Sequence, residues 1–117
     1  YLMQTSYMLK VTNYDFKKVF DLCENVDKGF ENTCYRSLGR DASGTSVSDI
    51  EQTRTKCMLG DNFEQKSECM IGAVKDFVSY YYSDTKAKQL CESLEDDGME
   101  KICLDTAEEY YSYFTKK

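Results

Sequence analysis

The chain carries one cysteine pattern three times. Pairs stand at Cys23 and Cys34, Cys57 and Cys69, and Cys91 and Cys103, with the first cysteines 34 residues apart and the second ones 35 and 34. All six cysteines of the 117-residue chain belong to this internal repeat. On one continuous helix, two residues twelve apart stand about 18 Å from each other. A disulfide holds its Cα atoms within about 7 Å. If the members of a pair are joined, the chain must reverse between them, and turn chemistry sits at the middle of each copy: Asp27-Lys28-Gly29, Gly60-Asp61-Asn62 and Asp96-Asp97-Gly98. Glycine supplies left-handed C-caps, and Asn or Asp supplies N-cap oxygens. Each copy therefore reads as helix, turn, helix, with a bridge beside the turn. Six cysteines can pair in many ways; the repeat selects Cys23–Cys34, Cys57–Cys69 and Cys91–Cys103.

The absence of proline and apolar spacings of three and four residues predict an all-α fold. We expect a single domain over 1–117: an N-terminal helix or cap over 1–12, then repeats over 13–47, 48–82 and 83–117. In the first repeat, Asn13 is the expected N-cap for a stripe of Phe16, Val19, Phe20 and Cys23. The second helix is expected from Phe30 to Leu38, and Gly39 to Ser46 reads as a polar, flexible loop. Ser48 and Glu51 form the capping-box pattern of the second repeat, whose first helix, to Met58, is polar enough to lie at an edge. Asn62 opens a long helix from Phe63 to Tyr82. The third repeat runs from Ser83 to Leu94, turns, and continues from Met99 to Phe114. The third residue after each second cysteine is small (Ser37, Gly72, Thr106), which suits close approach of neighbouring helices. Two architectures fit: a solenoid-like stack of stapled hairpins or a compact bundle.

Six cysteines in a regular frame imply an oxidising compartment, so the chain is expected to be secreted, periplasmic or on an extracytoplasmic face. It opens on Tyr1 without a visible signal peptide, which we read as a processed or fragmentary form whose export signal has gone. No apolar run is long enough to cross a bilayer. A net charge of −6 weighs against nucleic acid or an anionic membrane as partner.

The chain has no histidine, so it lacks the commonest general base, and no cysteine remains over as a nucleophile. With neither histidine nor a C-x₂-C pair, the usual zinc site is missing too. The acidic residues near the turns read first as partners for helix dipoles. Asp96, Asp97 and Glu100 are the weak calcium candidates. No cofactor is expected, and the enzyme reading is set aside.

Tyrosine is the stronger signal. Tyr80, Tyr81 and Tyr82 close the second repeat, and Tyr110, Tyr111, Tyr113 and Phe114 close the third at equivalent positions. Three consecutive helical residues span about 200° of the circumference, so they cannot all face one core. Tyrosine suits protein interfaces, because its ring buries area while its hydroxyl stays bonded. These seven residues are the interface candidates.

The stretches Cys34-Tyr35-Arg36-Ser37-Leu38-Gly39-Arg40 and Cys69-Met70-Ile71-Gly72-Ala73-Val74, together with Cys91 and Cys103, resemble uncharacterised exported helical proteins of bacteria and archaea with tandem Cys-x₁₀₋₁₁-Cys hairpins. The plan is also similar to Sel1-like and tetratricopeptide repeats, though their sequence landmarks are missing. Members often carry histidines in these repeats and this chain has none, so the resemblance implies fold and export but no activity. The expectation is a non-catalytic, exported protein-interaction module, an accessory or scaffold subunit of a larger extracytoplasmic or membrane-associated assembly. The alternative is a soluble carrier of a small ligand or cation, with a pocket between hairpins.

Overall fold

The computed structural model describes residues 5–26, 28–46 and 49–115, the side chains of 114 and 115 excepted. Among these residues there are seven helices and no strand: α1 Thr5–Val11, α2 Phe16–Glu24, α3 Glu31–Thr45, α4 Ile50–Cys57, α5 Phe63–Tyr81, α6 Thr85–Glu92 and α7 Asp97–Thr115. The three bridges are Cys23–Cys34, Cys57–Cys69 and Cys91–Cys103, with Cα separations of 5.6, 5.5 and 5.4 Å. Each joins the end of one helix to the first turns of the next, as the repeat requires.

The stripe of Phe16, Val19, Phe20 and Cys23 is buried along α2, but Asn13 does not cap that helix. Asn13 and Tyr14 instead close α1 in the left-handed conformation, with φ of 59° and 62°. Their N–H groups donate to the carbonyls of Lys10 and Leu9 at 3.2 and 2.6 Å. Asp15, the next oxygen-bearing residue, takes the cap, accepting from the Lys18 N–H at 3.1 Å.

The expected loop from Gly39 to Ser46 is a second departure, because α3 continues through it to Thr45. Packing overrides weak helix propensity here. A Cβ on Gly39 would overlap the Cys69 carbonyl oxygen and stand 2.9 Å from the Ala73 nitrogen. A Cβ on Gly72 would overlap the Arg36 carbonyl oxygen in return. The two backbones meet at these glycines, and Ala42 and Ser43, one turn further on, are fully buried.

The caps of the later units follow the sequence with small shifts. Asp49 Oδ1 caps α4 through the Gln52 N–H at 2.9 Å; Ser48, the expected cap, lies outside the described residues. Asn62 Oδ1 accepts from the Gln65 N–H at 2.9 Å, and Gln65 Oε1 reaches back to the Asp61 N–H at 2.7 Å. Helix α7 begins earlier than expected, at Asp97, so Gly98 lies in its first turn. Of the turn glycines only Gly29 is left-handed, at φ 97°.

The helices form two layers. Helices α1, α3, α5 and α7 make a row in which each touches the next, and α2, α4 and α6 each lie over the seam between consecutive members. Helices α3, α5 and α7 run parallel. Tyr35 on α3 meets Gln65 on α5, Arg36 meets Glu68, and Phe63 on α5 lies beside Gly98 on α7. Further along, Ser79 meets Tyr110. A core of Phe20, Leu38, Met70, Val74, Phe77, Val78 and Leu90 runs between the layers. The hairpins are thus stacked in chain order, yet three of them are few enough that the molecule measures 36 × 31 × 27 Å.

Candidate functional site

Parallel stacking separates two ends of the molecule. The staples and turns gather at one end, and the C-termini of α5 and α7 come together at the other. There the sequence places both of its tyrosine clusters, near the ends of α5 and α7. Tyr81 sets its ring 6.0 Å from that of the buried Phe77 and remains 36% exposed. Tyr80 stands edge-on to Tyr81 at 4.9 Å and is 59% exposed. Tyr82 ends α5 in the left-handed conformation and is 80% exposed. On α7, Tyr110 and Tyr111 are half-buried and Tyr113 is 61% exposed. The side chain of Phe114 lies outside the described residues. The Tyr110 hydroxyl lies 3.5 Å from Ser79 Oγ, and the Lys75 ammonium stands 5.7 Å from its ring centre. Tyr110 and Tyr113 border a groove of about 230 Å³ with Arg36, Ile71 and Lys75. Arg36 is tied to Glu68 across the α3–α5 seam.

The staple end is acidic. Asp96 Oδ1 accepts from the Met99 N–H at 2.9 Å, so this weak calcium candidate caps α7. Asp97 and Glu100 stand in the first turn of the same helix, where negative charge complements the exposed N–H groups. Among the described residues, Asp21, Glu24 and Asp61, all exposed, form a group of three carboxylates whose oxygens lie within 4.8 Å of one another. Lys17 bonds Asp61 and stands 3.9 Å from Asp21, so that group carries its own counter-ion. Sequence reasoning missed this cluster because Asp61 belongs to the next repeat and meets α2 only through the stack.

Beside it lies a groove bordered by Glu24, Glu31, Glu64, Asn32 and Tyr35. Burial raises the Tyr35 phenol above its ordinary range; the Gln65 hydrogen bond pulls the other way, and the three glutamates add to the rise. A larger open groove of about 640 Å³ lies between the second and third units, with Met58, Leu59, Leu94 and Met99 on its walls and Arg54 and Lys66 at its rim. Among the described residues no helix is long and apolar enough to cross a membrane. No protein-family model matches the chain, and no curated protein or solved structure matches it either.

Proposed function

We propose that this chain is a non-catalytic, exported protein-interaction module that docks through the tyrosine end of α5 and α7, as an accessory or scaffold subunit of a larger assembly. The observation that carries this reading is the exposure of Tyr80, Tyr82 and Tyr113 at one end of a fold whose core is complete without them. Large amphipathic rings with few rotatable bonds bury area on binding at low entropic cost. The three formed disulfides fit an oxidising environment, which supports export.

Crosslinking with mass spectrometry on the native source tests the reading. The expected result is reproducible links from the tyrosine end to one larger protein, lost in a Tyr80→Ser, Tyr82→Ser, Tyr113→Ser variant with unchanged melting. The carrier reading rests on the groove at Met58, Leu59, Leu94 and Met99. A chain that stays unlinked, and whose melting rises with a small ligand or with calcium, would replace the first reading by the second.

A further inference from the structure

The open groove between the second and third units, about 640 Å³ in volume, sets apolar walls beneath a charged rim. Leu94 and Met99 are buried, Met58 is half-buried against the core, and Leu59 is 43% exposed. Methionine is unbranched and flexible, so walls of this kind adapt to an apolar chain laid along them. On the third unit, polar atoms bordering the groove already have partners. Ser93 Oγ donates to the Leu90 carbonyl at 2.6 Å, and Asp96 Oδ1 accepts from the Met99 N–H at 2.9 Å.

The second unit supplies the cations. Arg54 on α4 and Lys66 on α5 are both half-buried. Among the described residues neither forms an ion pair or a side-chain hydrogen bond, whereas Lys17, Arg36, Lys88 and Lys101 each have a carboxylate partner. Acids outnumber bases in the chain by 21 to 15, and Glu95 and Asp96 border the same groove, yet neither closes on these two cations. Two like charges at one half-buried rim repel each other and attract an anion. Small-molecule sites commonly enclose about 300–1,000 Å³, with apolar walls holding the body of the ligand and a few polar groups fixing its orientation.

We propose that this groove binds a carboxylate amphiphile with one hydrocarbon chain, of the chemical class of a fatty acid, its chain along Met58, Leu59, Leu94 and Met99 and its carboxylate at Arg54 and Lys66. The occupant is a single molecule taken from solution and not a bilayer, because a net charge of −6 repels an anionic membrane. This site rests on the carrier reading, whose ligand class it names. It shares no lining residue with the groove at Tyr110 and Tyr113, so a loaded chain keeps its tyrosine end free to dock.

The test uses the full, oxidised chain with isotope-labelled methionine methyl groups, followed by NMR during titration with dodecanoate and, separately, with uncharged dodecanol, each below its solubility and micelle limits. Dodecanoate should shift the Met58 and Met99 methyls saturably and leave Met8, on α1 at the other end of the row, in place. Arg54→Gln with Lys66→Gln should leave the melting temperature unchanged, because neither side chain is bonded. It should weaken dodecanoate by about tenfold or more for each cation removed, while the affinity for dodecanol stays the same. Equal affinity for acid and alcohol, or undiminished dodecanoate binding in the double variant, would overturn the anionic head and leave the carrier reading with an apolar ligand of another kind. No shift of Met58 and Met99 with either probe would overturn the site and take this groove away from the carrier reading as well. Shifts that spread equally to Met8 would overturn it as detergent-like binding without a site. A response to phosphatidylglycerol vesicles with none to monomeric dodecanoate would overturn it in favour of a membrane surface.

Discussion

Two glycines in neighbouring helices let the backbones of α3 and α5 meet, and a third glycine supplies the comparison that tests it. Replacing a solvent-facing helical glycine by alanine normally stabilises by about 0.5–1 kcal/mol. Gly44 has nothing within 4 Å of the place a methyl group would take, so Gly44→Ala should show that gain in urea unfolding. Gly72→Ala should do the reverse, because its methyl would meet backbone of Arg36, which cannot rotate away. A loss of about 2 kcal/mol or more is expected. Equal effects at the two sites would mean that α3 and α5 do not meet as described.

Tyr35 gives a second test at this scale. Its phenol is raised in the folded state, so its contribution to stability is fully present below the ordinary tyrosine pKa of about 10 and is lost as pH rises through the higher folded value. Tyr35→Phe should flatten that alkaline loss. At neutral pH it should cost about 1 kcal/mol, from the Gln65 hydrogen bond at 3.3 Å.

Among the elements, the hairpins depend on their staples. Each bridge closes a loop of 11 or 12 residues, and in the chain-entropy account a loop of that size contributes about 3 kcal/mol. Full reduction should therefore lower the melting temperature markedly, and non-reducing peptide mapping should recover only local bridges. A melting temperature unchanged in strong reductant would sink the stapled-hairpin account. The hairpins were legible in the sequence because cysteine spacing, turn residues and apolar periodicity all pointed the same way. The Gly39 to Ser46 segment was not, because its composition is that of a loop and only the partner glycine on α5 makes it a helix. Asn13 was misplaced for a local reason: one asparagine can start a helix or end one, and here α1 uses it first. The tyrosine end was half legible. Register showed that three adjacent rings cannot share one core, but not that Tyr81 would be the ring to pack against Phe77.

At the scale of the whole molecule, the repeat register shows where α7 departs from the apolar pattern of α5. The positions of Ile71, Val74 and Val78 on α5 become Asp105, Glu108 and Ser112 on α7, and Asp105 and Glu108 are exposed. Positions that are apolar on α5 are thus polar and exposed on α7. Asp105→Ile with Glu108→Val should restore the apolar pattern of α5 and produce concentration-dependent association in sedimentation velocity, while the parent chain does not associate through this face. If the double variant sediments as the parent does, these two acidic side chains are not what keeps that face of α7 from associating.

The order of the bridges has a further consequence, for how the molecule is made. Each cysteine pairs with the next one along the chain, first with second, third with fourth, fifth with sixth. A chain threaded from its N-terminus into an oxidant therefore presents each correct partner before any competitor arrives. Native pairing follows from the order of emergence, and the chain can mature without a shuffling step.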